Sequence, residues 1–231
     1  MRRFRPGLPA TIMTLIGLAV LISLGVWQVQ RLHWKQDLIA RLEQRLAAEP
    51  VPLPADIEDP ALWDYRRVGV EGVFAHAREA YVFAGRQRTG GWYVITPLIR
   101  KRGAPVLINR GWVPDDARDP AARPAGQIPG PVRVTGIVRV TRPGNAFTPE
   151  PDREARLFFA ADIAALAEAA DLGAVAPVIL DADVSDAPGP EGGQTRLDLP
   201  NNHLSYAVTW FALAAVLLAI YLVFGLRRIT D

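Results

Sequence analysis

The sequence predicts an α+β membrane protein: transmembrane helices at the N- and C-terminal ends flank one mainly antiparallel β domain that carries a helix. Three observations carry this reading. Pro6 to Gln30 and Leu199 to Leu226 contain no charged residue, and each exceeds the roughly 20 apolar residues that cross a bilayer as a helix. From Tyr65 to Val140 the chain is built of short β-branched and aromatic runs punctuated by glycine, the texture of strands. The stretch between the two apolar runs, about 170 residues, is one domain's worth.

In order, residues 1–9 are expected to be a cytoplasmic N-terminus and 10–30 the first span. Arg2, Arg3 and Arg5 precede this run as in a signal peptide, but no A-x-A-like cleavage site follows it, so it is expected to stay as an anchor. Trp27 and Trp34 suit either an interfacial aromatic belt or packing. An extracytoplasmic domain is expected over 31–201, opening with a lead-in helix over 31–48, where Leu38, Ile39, Leu42 and Leu46 recur at helical spacing. The prolines of Pro50 to Pro60 end that helix and make an irregular lead-in.

Five strands are expected in YRRVGVEGVF, EAYVFAG, GWYVITPLI, APVLINRGW and PVRVTGIVRV, joined as hairpins because too few residues separate them for crossover helices. Lys101 to Gly103 reads as a tight turn. Pro114 to Pro131, rich in proline and charge, is expected to be an exposed, mobile loop. Ala160 to Ala170 predicts a helix, APVILDAD a further strand, and SDAPGPEGGQT another loop. The second span is placed at 202–225 and a cytoplasmic C-terminus at 226–231. Arg2, Arg3 and Arg5 at one end, with Arg227 and Arg228 at the other, put both termini in the cytoplasm. Arg31, Lys35, Arg41 and Arg45 pull the other way, but long domains cross largely regardless of charge.

Composition excludes several functions. No cysteine occurs, so disulfides, thiolate metal sites and cysteine nucleophiles are out, and Met1 and Met13 alone cannot make a methionine copper site. The net charge of +2 is small and its basic residues are scattered, which argues against nucleic acid as a partner. Ser23, Ser185 and Ser205 are the only serines and none sits in a G-x-S-x-G elbow; His33, His76 and His203 lie far apart, without an H-x-x-x-H pair. GRQRTGG, Gly85 to Gly91, reads as a basic hairpin turn rather than a phosphate loop. No enzyme is expected.

His203 stands apart because it lies where the second span enters the membrane. On a helix His203, Tyr206, Ala207 and Trp210 fall at i, i+3, i+4 and i+7, along one face. That face offers an imidazole, a phenol, a small residue beside which something flat can approach, and a large ring; its imidazole can ligate a haem iron. The alternative is a structural role for His203 against the outer domain, with Tyr206 and Trp210 as interface anchors or packing residues. Asn201 and Asn202 are expected to cap the helix by accepting from its first-turn amides.

WQVQRLHWK, YRRVGVEGVF, GWYVITPL, VLINRGWVP, VRVTGIVR and LPNNHLSYAVTWFALA follow one another along the chain. On these stretches the chain resembles the Surfeit family (Surf/Shy) of cytochrome c oxidase assembly factors, in its bacterial form; NRGWVP and NNHLxYAxTW together are the specific signature. The resemblance implies a membrane chaperone of the respiratory chain that transiently binds or guides haem a for the catalytic subunit of a haem-copper oxidase. Enzymes of haem a synthesis would be further partners, and the bilayer its setting. It marks His203 as the candidate iron ligand, its only metal role, with Trp210 and Tyr206 beside it. The lack of a long transit peptide suits a bacterial inner membrane with the domain in the periplasm. The same resemblance also admits a protein-only chaperone that stabilises the immature subunit without touching haem. Asn109, Arg110, Gly111 and Trp112 form the other signature, of unknown role: Gly111 permits a turn or close approach, Arg110 can pair with a carboxylate such as a haem propionate, and Trp112 can pack on the domain or the membrane, while a buried structural corner is the reading favoured for all four.

Overall fold

The computed structural model describes residues 2–4, 6–85, 90–141, 143–186, 189–195 and 199–228, with the backbone alone for 2–4 and 226–228. The chain forms two compact units, Met1–Arg41 with Asp198–Asp231, and Leu42–Leu197.

In the first unit, strand β1 (Arg2–Phe4) leads into helix α1 (Leu8–Ala47), and α3 (His203–Gly225) leads into β10 (Leu226–Arg228), which pairs antiparallel with β1. Both helices are long and apolar enough to cross a membrane. At 1.5 Å per residue α3 spans about 35 Å and α1 about 60 Å, twice the hydrocarbon thickness, so α1 can cross and continue as a lead-in without a break. The helices run antiparallel and meet at four levels: Thr11 bonds Tyr221 at 2.8 Å, Gly17 faces Leu217, Gly25 faces the Phe211 ring, and Gln28 bonds His203 at 2.7 Å. Close approach needs small residues where the helices touch, because lipid offers no hydrophobic drive between them. A Cβ at Gly25 would stand 2.7 Å from the Phe211 ring. Gly25→Ile is therefore expected to separate the pair. Spin labels on cysteines at exposed Met13 and Val223 should show one narrow distance in the wild-type background and a longer, broader one in the variant.

The second unit is built on β2 (Val51–Pro52), β3 (Arg67–Phe74), β4 (Ala80–Phe83), β5 (Gly91–Arg100), β6 (Val106–Pro114), β7 (Pro131–Arg139), β8 (Leu157–Phe158), α2 (Ile163–Ala169) and β9 (Ile179–Ala182). Sheet order is β2-β3-β7-β9-β6-β5-β4-β8, and β3 also pairs with β5, which closes β3, β7, β9, β6 and β5 into a barrel. Closure occurs where Gly72 touches both neighbours: it pairs with Val132 of β7 and Arg100 of β5, and a Cβ there would lie 2.4 Å from the Ile99 carbonyl oxygen. Pairing is antiparallel except for the parallel pairs β2–β3, β4–β8 and β6–β9.

The period of two sorts side chains into separate cores. Val106 and Ile108 of β6 join Val68, Val70, Leu98 and Leu180 in one cluster, while Leu107 between them joins Ile95, Ile179, Phe158 and Leu166 of α2 in another. Asp162 caps α2 by accepting from the Ala164 and Ala165 amides. The seven expected domain elements are all present, and β2 and β8 are additional. Residues 86–89 of the expected basic turn lie outside the described residues.

Pro114 to Pro131 corrects its expectation. Three 3₁₀ turns, Asp115–Ala117, Pro120–Ala122 and Pro124–Gly126, order it, and Arg123 and Gly126 are buried. Asp119 accepts from the Ala121 amide, and the prolines open turns where no amide donor is needed. Burial here is driven by charge pairing, which a count of apolar residues does not see. Within the expected SDAPGPEGGQT loop, of which residues 187–188 lie outside the described residues, Glu191 and Trp112 exchange backbone hydrogen bonds of 2.9 and 3.0 Å.

Candidate functional site

The predicted residues fall at two loci, one in each unit. At the start of α3, His203 is half-buried and its Nδ1 lies 2.7 Å from Gln28 Oε1. Its Nε2 bonds nothing among the described residues. Trp210 is half-buried and Tyr206 is 54% exposed, so both keep accessible surface, one and two helical turns beyond the imidazole on the same face. Ala207 is different: at 2% exposed it lies between the His203 and Phe211 contacts with α1. The room expected beside Ala207 is thus taken by helix packing, and the accessible strip is His203, Tyr206 and Trp210. Trp27 and Trp34 stay exposed on α1, with the Arg31 guanidinium 3.8 Å from the Trp34 ring centre.

The capping expectation is corrected in part. Asn201 Oδ1 is buried without a hydrogen-bond partner among the described residues, so it does not serve the first-turn amides. Asn202 directly precedes the helix and its backbone carbonyl accepts from the Tyr206 amide at 3.3 Å.

At the second locus Asn109, Arg110, Gly111 and Trp112 form a β-bulge in β6. Tyr93 pairs with Trp112 and Ile95 with Asn109, so Arg110 and Gly111 together oppose Val94. Gly111 has φ +124°. Asn109 braces the bulge, its Oδ1 accepting from the Gly111 amide at 3.1 Å while its Nδ2 donates to Asp181 at 2.9 Å. Trp112 lies over Gly91 and donates from Nε1 to the Ala84 carbonyl at 3.1 Å.

The bulge sends Arg110 into a buried charge cluster. Its Nη1 donates to Glu79 Oε1 at 3.2 Å, its Nη2 to the Gly126 carbonyl, and its guanidinium sits 4.9 Å from the Phe74 ring centre. Arg123 holds the other carboxylate oxygen at 2.5 Å, and Thr96 and His76 each reach Oε1 at 3.3 Å. Glu79 is only 3% exposed. Burial pushes its carboxyl up, but the hydrogen bond and charge of Arg123, the His76 hydrogen bond and the charge of Arg110 outweigh that and hold it below its ordinary value. Burial likewise pushes Arg110 down, against the pull of Glu79. The carboxylate that pairs with Arg110 in this structure is therefore one of the chain's own.

Among the described residues no three His, Asp or Glu side chains converge as a metal site. An iron-binding role would fall on a single imidazole, and the His203 locus fits one: a ring nitrogen without a partner among the described residues, with two partly open aromatic side chains further along the same helix face.

A sequence profile described as the SURF1 family matches residues 15–215. The match takes in most of α1, the first half of α3, the bulge and the His203 strip. The chain belongs to the SURF1 family. It is 41% identical over 212 residues to Surfeit locus protein 1 of Homo sapiens, covering 84% of this chain and 70% of that one. It is 40% identical over 215 residues to the Rattus norvegicus protein of the same name, covering 85% and 69%, and 37% identical over 218 residues to a SURF1-like protein of Drosophila melanogaster, covering 85% and 71%.

Family membership thus rests on most of the chain rather than on one motif. Several participants at the two loci escaped the sequence, Gln28, Glu79 and Arg123 foremost among them. For Gln28 a signal existed, an amide inside an apolar span, where a polar group needs a partner.

Proposed function

We propose that this SURF1-family chain is a non-enzymatic assembly factor for a haem-copper cytochrome c oxidase. It binds or guides haem a, as transient cargo, toward the catalytic subunit. In this reading it crosses a bacterial inner membrane twice with both termini cytoplasmic, its β domain stands in the periplasm, and enzymes of haem a synthesis deliver the cargo. The observation that carries it is the placement of His203: at the start of a helix long and apolar enough to span, half-buried, with Nε2 unbonded among the described residues and Tyr206 and Trp210 further along the same face. Bound haem would supply an iron able to accept a histidine nitrogen as ligand. The chain would supply position: His203 offers the nitrogen, Trp210 and Tyr206 offer ring surface, and the paired helices hold the three in place. A single protein ligand binds less firmly than a closed pair, which suits a group that must be passed on.

Co-expression with a haem a pathway, purification in detergent and an absorption spectrum test the proposal. A Soret band is expected in the wild type and its loss in His203→Ala, with near-UV circular dichroism unchanged. No band in the wild type would leave the protein-only chaperone in its place.

A further inference from the structure

We propose that Gln28 is a positioning residue: its carboxamide oxygen fixes the tautomer and orientation of the His203 imidazole so that Nε2 is presented bare. The proposal deepens the reading of His203 as haem-linked and rests on it for its purpose. Gln28 is only 8% exposed, on the face of α1 that also carries Gly25 one turn earlier, where the helices meet. Gln30, two residues on, is exposed. An amide in an apolar helix pair is retained only where it finds a partner. Gln28 finds one in His203, 175 positions along the chain, with Oε1 2.7 Å from Nδ1.

The chemistry of the pair is directional. A carboxamide oxygen only accepts, so Nδ1 carries the proton, and a neutral imidazole has one ring proton to place. Nε2 is then the nitrogen with a free lone pair, and it bonds nothing among the described residues. Histidines that bind metals commonly give their other N–H to an acceptor, which orients the ring and tunes its basicity. A neutral acceptor raises that basicity less than a carboxylate would, and it avoids burying a charge in the membrane. The ring is thereby oriented without being made a strong ligand, as release of a cargo requires.

The test uses the full chain in lipid nanodiscs with ¹⁵N-labelled histidine rings; the chain has only three histidines, so the His203 signals are assigned by difference against His203→Ala. At an alkaline pH where imidazoles carry one ring proton, the wild type without haem should show His203 in a single tautomer, protonated at Nδ1. Gln28→Leu should give a mixture of tautomers, while Gln28→Glu should keep Nδ1 protonated. Spin-label distances between Met13 and Val223 report whether the helix pair survives. A wild-type mixture, or a tautomer unchanged in Gln28→Leu with the helices still paired, overturns the proposal whether or not haem binds. In the haem-loaded protein, Gln28→Glu should lower the reduction potential, because a carboxylate partner makes the imidazole a stronger donor to ferric iron. An unshifted potential overturns the positioning role. Absence of a Soret band in the wild type, with the tautomer fixed as expected, instead refutes the haem reading and supports Gln28 as the residue that orients this ring.

Discussion

Glu79→Gln is expected to cost the β domain about 3–5 kcal/mol, the range for removing one partner of a buried ion pair. Two guanidiniums, Arg110 and Arg123, converge on this carboxylate, and all three side chains are at least nine-tenths buried. Glutamine keeps the shape but leaves both cations without a counter-charge, so the penalty comes from stranded charge rather than from a cavity. Hydrogen exchange of β5 and β6 amides in the full chain measures it. Arg133→Ala is the control: its partner Glu71 is 3.9 Å away and both side chains are largely exposed, so about 0.5 kcal/mol or less is expected. Acid adds a second signature. A carboxyl held below its unfolded value contributes stability that is fully present above the ordinary glutamate range and is lost as pH falls through the lowered folded value. Wild type should therefore lose stability below about pH 4.5, and Glu79→Gln should lose less over the same interval.

The sequence showed some of this plainly and hid the rest for identifiable reasons. The spans were legible because absence of charge over more than twenty residues is a property of composition alone. The barrel strands were legible as short β-branched and aromatic runs punctuated by glycine, but the run Val106-Leu107-Ile108 carries no alternation, so the assignment of Leu107 to one core and its two neighbours to another had to come from the structure. Glu79 was not legible: in HAREAYVF it looks like surface charge, and its partners lie 31 and 44 residues further on. Arg123 was hidden by a rule that works on averages. A segment poor in apolar residues usually stays solvated, but here its guanidinium meets a buried carboxylate and the carbonyls of Ala117 and Arg118. β8, two residues in parallel pairing, is too short to show a period. His203 could be placed by sequence, whereas its hydrogen bond to Gln28 required the helices to be paired first.

Gly111→Ala is expected to be the most damaging small substitution in β6, at more than about 3 kcal/mol. Two penalties combine. The φ of +124° lies where side chains are strained, and a Cβ would stand 2.0 Å from the Glu191 carbonyl oxygen. That oxygen belongs to backbone, held by its hydrogen bond from the Trp112 amide, so it cannot swing aside as a side chain would. Gly130→Ala separates the two terms: its φ is +78° with nothing within 4 Å, so only conformational strain remains, about 1–2 kcal/mol. The same exchange measurement on both variants should show this gap, and near-equal losses would mean the contact with Glu191 yields easily. Because the bulge that needs Gly111 is also what aims Arg110 at Glu79, the two lesions are not independent. Once the bulge is disturbed, part of the ion pair is already lost, so Gly111→Ala combined with Glu79→Gln should cost less than the sum of the single changes. Strict additivity would show that Arg110 finds Glu79 without the bulge, and that the strained glycine serves only the Trp112 and Glu191 strand contact.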